Sequence, residues 1–295
     1  MKRPLYVVDA FTDKPLAGNA AAVVLDGADL ESKDMQRIAA QMRHSETAFP
    51  LPARDPTTAF HLRWFTPVSE VAFCGHATLA TLHAMVEEAK RLRAPSQLAF
   101  TCKAGRLRVE LGRDEFKRLR ILIETPAATF QQLTLDPELL AVLGLVPEAL
   151  DPNLLPQRAL GGNANLHLGL RERSMLAKAR PDFKALAAYC RAHKLAGVCL
   201  YVATPEKGFD AALRYFAPAE GVDEDPVTGS ACGQLGVLLQ LKLPEEMPRK
   251  LLFSQNTGRV ELEIRPEATP GDIRAWIGGA AVTVVRGELD LRSSR

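Results

Sequence analysis

Three short segments carry residue types that could move protons. Cys74 stands immediately before Gly75-His76-Ala77-Thr78, a small-residue start to a helix. Asp223-Glu224-Asp225-Pro226-Val227-Thr228 leads in the same way into Gly229-Ser230-Ala231-Cys232-Gly233. Glu46 lies in His44-Ser45-Glu46-Thr47-Ala48-Phe49, where a helix hands over to a strand. A thiol at a helix N-terminus has its thiolate favoured, so Cys74 is a candidate base near neutral pH; it reads equally as a buried core thiol after Val71-Ala72-Phe73. The acidic triplet reads as a solvated turn except at Asp225, whose exit geometry Pro226 fixes beside the helix start. His76 begins a helix that lowers its proton affinity, and serves either as acid/base or as a satisfied packing residue. From composition alone Glu46 is a surface carboxylate. Cys102, Cys190, Cys199 and Cys232 have no evident partner and read as core. A thiol hydrolase built on Cys74 and His76 lacks an evident third residue to orient the imidazole.

The elements that position these groups come in two copies. Leu62-Arg63-Trp64-Phe65-Thr66-Pro67 returns as Leu213-Arg214-Tyr215-Phe216-Ala217-Pro218, Gly75 returns as Gly229, and Phe100 with Gly105-Arg106 returns as Phe253 with Gly258-Arg259. A weaker match joins Gly18-Asn19-Ala20 to Gly162-Asn163-Ala164. A period of about 150 residues marks a duplicated domain, since solenoid units run about 20–50. The proline-bearing stretch from Pro126 to Pro156 holds the boundary, giving halves 1–127 and 128–295; whether the last strands, Asp272 to Val285, return to the first half stays open. Within each half the pattern predicts strands around one apolar central helix: Tyr6–Val8, Ala20–Leu25, Thr47–Phe49 and Phe60–Phe65, a helix over Leu30–Met42 capped by Ser32 or Asp29, and a central helix over Gly75–Glu88. The second half repeats this with a helix over Phe183–His193, a strand over Val198–Val202 and a central helix over Gly229–Gln240. A helix apolar on most faces belongs inside a wrapped sheet.

Two such halves make a cleft, where small ligands commonly sit. Each central helix starts with small residues that leave N–H donors open, so Gly75, His76, Ala77 and Thr78, with Thr228, Gly229, Ser230 and Ala231, form two termini able to hold a carboxylate. They would also stabilise the enolate-like charge left when a proton leaves the adjacent carbon. Loops such as Arg54–Ala59 and Asp151–Leu160 are candidates for substrate selection.

Composition closes off other classes. Lys+Arg 37 against Asp+Glu 35 leaves a formal charge of +2, too little to argue for nucleic acid or an acidic membrane. No apolar run approaches the ~18 residues that span a bilayer, and Asp9 cuts short the apolar run after Lys2-Arg3, so no secretory signal is expected. Five scattered cysteines without a CxxC predict neither a disulfide framework nor a zinc site. The expectation is a cytoplasmic protein.

Taken together, Asp9-Ala10-Phe11-Thr12 with Gly18-Asn19-Ala20, Ser45-Glu46-Thr47-Ala48-Phe49, Phe65-Thr66-Pro67 leading to Cys74-Gly75-His76-Ala77-Thr78, Asp225-Pro226-Val227-Thr228-Gly229-Ser230-Ala231, and Gln255–Gly258 with Arg259 resemble the phenazine-biosynthesis PhzF-like isomerase family over essentially the whole chain. The resemblance implies an α/β (α+β) diaminopimelate epimerase-like fold of two pseudo-symmetric halves, each a sheet wrapped around a central helix. It implies no metal, pyridoxal phosphate or nucleotide cofactor, and a homodimer. It makes Glu46 the acid/base, with His76 and Asp225 at further active-site positions, and it matches Gly75, Gly229 and Ser230 to anion-gripping helix starts; Asn19, Ala77 and Thr228 are the further substrate-binding candidates. Related amino-acid epimerases use two opposed cysteines. Here Cys74 fits the first position, but Thr228 falls opposite it and Cys232 lies inside the helix. A one-carboxylate proton shift on a small carboxylate is therefore favoured over symmetric two-thiol racemisation, with Cys74 as an assistant. The rival reading is a non-catalytic binder using the same cleft.

Overall fold

The structure is a computed structural model that describes residues 2–134, 136–203, 208–269 and 271–291. The chain forms two compact units, one of residues 1–124 with 278–295 and one of residues 125–277.

In the first unit, strands β1 (Lys2–Ala10), β2 (Asn19–Val24), β3 (Glu46–Leu51), β4 (Phe60–Phe65), β6 (Ser96–Cys102), β7 (Gly105–Arg113) and β8 (Leu119–Glu124) pair in that order, with the short β5 (Glu70–Val71) beside β4. β7 alternates buried and part-exposed residues over Leu107–Leu111, the period of a sheet with one covered face. What covers it is α2 (Gly75–His83), which packs against β1, β2, β3 and β8. Gly75 through Leu82 are all buried. The expected central helix therefore exists but ends as an α-helix at His83; Ala84–Glu88 is a π-helical turn. α1 (Ser32–Met42) covers the other face through Met35, Ile38 and Ala39, which join Val24, Phe49 and Phe65 in one cluster. Its N-cap is Glu31, without a side-chain cap bond, rather than Ser32 or Asp29. Those two are engaged by arginines, Ser32 Oγ accepting from Arg63 and Asp29 pairing with Arg3. β18 (Ala281–Asp290) returns to lie antiparallel to β1, with Val7 opposite Val285.

The second unit repeats the plan. β9 (Thr129–Gln132), β10 (Gln157–Leu160), β11 (Asn165–Gly169), β12 (Gly197–Val202), β13 (Ala211–Ala217), β15 (Arg249–Gln255) and β16 (Gly258–Pro266) pair in order, with β14 (Val222–Asp225) beside β13. Residues 157–160, read as loop from the sequence, are thus the strand β10, clamped on both edges. The buried helix is α6 (Gly229–Lys242). A Cβ at Gly236 would stand 2.9 Å from Leu262 and Ile264, so the glycine lets the helix lie close on β16. α3 (Pro137–Leu143), α4 (Arg173–Lys178) and α5 (Phe183–Ala192) cover the outer face in a cluster with Leu166, Leu168, Val198, Leu200 and Phe216. β17 (Ile273–Gly279) ends the unit.

Strand register shows how the copies correspond. Ala21 lies opposite Glu46 and Thr47 opposite Phe65 in the first unit; Asn165 lies opposite Gly197 and Val198 opposite Phe216 in the second. Phe65 and Phe216 are repeat partners, so Glu46 corresponds to Gly197. Trp64 pairs with Val71 and Tyr215 with Asp225, so Asp225 corresponds to Val71 and, without a gap, Thr228 to Cys74.

Candidate active site

In the first unit the elements bring Asn19, Ser45, Glu46, Cys74 and His76 together. Asn19 opens β2, Glu46 opens the parallel neighbour β3, and Cys74 is the N-cap of α2 with His76 in its first turn. His76 is the hub. Its Nδ1 lies 3.2 Å from Asn19 Nδ2 and 3.4 Å from Cys74 Sγ. Its Nε2 lies 3.2 Å from Ser45 Oγ and 3.3 Å from Glu46 Oε2.

The network assigns the tautomer. Ser45 Oγ donates to Asn19 Oδ1 at 3.1 Å, which turns the amide nitrogen of Asn19 toward His76 as a donor. Nδ1 is then an acceptor, taking the amide hydrogen and the thiol hydrogen, and the ring proton sits on Nε2, facing Glu46 and Ser45. Burial pushes the imidazole pKa down to about 3, with the nearby His44 adding to the effect. The neutral ring expected from a helix start is thus present, but desolvation is its main cause. Glu46, a surface carboxylate by composition, has a side chain only 15% exposed. The third residue that the sequence did not reveal beside Cys74 and His76 is Glu46 itself, on the far nitrogen of the ring.

Glu46, Cys74 and His76 offer donor atoms within 4.8 Å of one another, a spacing that could suit a metal ion. The thiol, however, faces Nδ1 and the carboxylate faces Nε2. One ion could not bond the ring and both partners without a side chain turning, so the arrangement suits proton exchange through an imidazole better than metal ligation.

In the second unit Asp225, Thr228 and Gln255 form a tight knot. Thr228 Oγ1 donates to Asp225 Oδ2 at 2.6 Å, Gln255 Nε2 donates to the Asp225 carbonyl at 2.6 Å, and the Thr228 N–H donates to Gln255 Oε1 at 2.8 Å. This fixes the approach to α6, so Gly229 and Ser230 follow in its first turn. Neither central helix has a side-chain cap bond at its N-cap, Cys74 or Thr228. Gly75, Ala77 and Gly229 are buried in the first turns of these helices, and Ser230 is partly exposed. Cys232 is fully buried with its pKa pushed well above the usual thiol range by desolvation, as befits core; burial likewise raises Cys102, Cys190 and Cys199.

Sequence reading missed Ser45, Gln255 and a buried cluster on α6. Gln234 accepts at Oε1 from Asn165 Nδ2 (2.8 Å), with His167 Nε2 at 3.1 Å, and donates to the carbonyls of Gly161 and Asn163. Ser45 and Gln255 both stand in motifs that carry the family resemblance, but nothing in their spacing gave either one a contact; Gln255 stands where the first copy has Cys102.

Residues 8–287 match the family described as phenazine biosynthesis-like protein, PhzC-PhzF. Phenazine biosynthesis-like domain-containing protein 1 of Mus musculus is 33% identical, covering 98% of this chain and 99% of the relative. An uncharacterized isomerase of Halalkalibacterium halodurans is also 33% identical, with the same coverage. The crystal structure of a Bacillus anthracis phenazine biosynthesis protein of the PhzF family superposes with a TM-score of 0.87 at 27% identity, covering 99% of this chain and 100% of that one. A probable proline racemase from Agrobacterium radiobacter shares the fold, with a TM-score of 0.70 at 11% identity over 98% of this chain and 93% of its own. The duplicated sheet-and-helix units, the matched relatives and the shared fold place the chain in the phenazine biosynthesis-like PhzC-PhzF family, among relatives that include an uncharacterized isomerase.

Proposed function

We propose that the protein is a PhzF-like isomerase that shifts a proton on a small carboxylate without metal, pyridoxal phosphate or nucleotide, working in the cytoplasm as a homodimer. The observation that carries this reading is the 3.3 Å approach of His76 Nε2 to Glu46 Oε2 beside a ring that burial keeps neutral. A neutral imidazole beside the carboxylate brings no positive charge to neutralise it, so Glu46 is placed as a base that takes a proton from carbon and returns it elsewhere. Cys74, on Nδ1, is the assisting group. Asp225 is assigned to substrate hydrogen bonding; Asn19, Gly75, Ala77, Thr228, Gly229 and Ser230 are assigned to holding the substrate, the helix starts acting on its carboxylate.

Register supports a single acid/base. Gly197 occupies the position that corresponds to Glu46, and a Cβ there would stand 2.5 Å from the Tyr215 ring. No carboxylate can stand in the second copy of that position.

The test is proton NMR in D₂O with a panel of small amino and hydroxy-dienoic carboxylates, run on the wild type and Glu46→Gln. The expected result is deuterium uptake at carbon by the wild type and a loss of about 10²–10⁴-fold in the variant, with ligand binding retained. Equal exchange rates in the two proteins would remove Glu46 from this role, and saturable binding without exchange would favour a binding protein.

A further inference from the structure

We infer that the second unit carries a separate site for a small hydroxylated anion, in a pocket over Ser254 on the outer face of its sheet. The pocket, of about 410 Å³, falls in the size range of small-molecule sites. Its floor is Ala212, Arg214 and Ser254 on the parallel pair β13 and β15, where Ala212 lies opposite Ser254. Phe253 and Gln255 on either side of Ser254 point inward, one into the core and one to Asp225 and Thr228. Strand alternation therefore turns Ser254 outward, onto the floor. Ser254 is 7% exposed, and its Oγ is buried with no hydrogen-bond partner among the described residues. A buried hydroxyl without a partner costs stability and marks a place where a ligand can bond.

The other copy of the repeat shows what is missing. Phe100 and Phe253 correspond, so Thr101 matches Ser254 and His61 matches Ala212. In the first unit His61 Nδ1 bonds Thr101 Oγ1 at 2.9 Å, and the imidazole fills the space. In the second unit alanine replaces histidine; the hydroxyl loses its partner and the space opens. The arginine beside it is common to both copies. Arg63 with Glu70, and Arg214 with Glu224, are each bidentate pairs lying 4.9 Å from a phenylalanine ring two residues on. Arg214 is neutralised by Glu224, so the pocket takes its positive charge from Arg180, which is exposed, lines the wall after α4, and donates to the backbone carbonyls of Ala177 and Ala179. The occupant this chemistry fits is a small compound with a carboxylate or phosphate toward Arg180 and a hydroxyl toward Ser254.

The test is a titration of the full chain, labelled with ¹⁵N, with glycerate, with glycerol 3-phosphate and with uncharged glycerol, following backbone amides. Saturable shifts at Ala212, Arg214, Ser254 and Asn256 from one or both anions, and not from glycerol, are expected. Ser254→Ala should weaken the affinity about fivefold, the loss of one neutral hydrogen bond. Arg180→Glu should weaken it further. Ala212→His, which installs the side chain of the first copy, should abolish the shifts while leaving the rest of the spectrum in place. Absence of saturable shifts from both anions, equal shifts from glycerol, shifts centred elsewhere, or binding unchanged in both Ser254→Ala and Ala212→His would each overturn the inference.

Discussion

A neutral imidazole held between a thiol and a carboxylate has a thermodynamic signature of its own. His76 folds with a pKa of about 3 and His167 with one of about 4, each lowered chiefly by burial, whereas an unfolded histidine titrates near ~6.5. Below that pH the unfolded chain binds protons that the folded chain refuses. Stability therefore falls as pH drops from about 6.5 toward 4 and 3, by up to about 1.4 kcal/mol per pH unit per histidine. Urea unfolding between pH 7 and pH 4 should show this slope, and His76→Asn should flatten it. An unchanged slope in the variant would mean that the ring is already charged in the native state. Glu46 and His76 were both singled out in sequence, but their contact was not, because thirty residues of chain separate them and only the neighbouring starts of β3 and α2 bring them together.

Among the elements, strands β4 and β13 and the two central helices do the same structural work with different side chains. Trp64 in the first copy becomes Tyr215 in the second, and the phenol donates to Asn165 Oδ1 at 2.7 Å across the space a side chain at 197 would need. Gly197→Ala should then cost about 1–3 kcal/mol, the usual penalty for overfilling a packed core, measured by urea denaturation. A variant as stable as the wild type would show that Tyr215 can move aside, and would reopen the question of why only one copy carries an acid. The central helices were legible because their apolar residues leave no polar stripe. The π-helical end at Ala84–Glu88 was not, since that stretch carries neither proline nor glycine and only the surrounding packing decides where the hydrogen-bond ladder widens.

For the molecule as a whole, the route of the last strand matters most. β18 is the partner of β1 across nearly its full length, although the two lie at opposite ends of the chain. Removing residues 281–295 should strip amide-exchange protection from the β1 groups that face β18, leave protection in β11–β13 unchanged, and expose an unpaired sheet edge prone to association. Protection persisting in β1 would show that the strand is dispensable. Among the described residues no helix is long and apolar enough to cross a membrane.

The sequence by itself determined the duplication, the two buried helices and the family, because each is written in local pattern: apolar periodicity, small residues at helix starts, and motifs repeated in order. It also singled out Glu46, Cys74, His76 and Asp225. Tertiary structure alone decided that His76 presents one nitrogen to the thiol and the other to the carboxylate, that the counterpart of Glu46 has no room for a side chain, and that β18 closes on β1. These outcomes depend on strand register and on contacts between residues far apart in the chain. Register is fixed by which faces must be buried together, a property of the assembled core that no single segment carries.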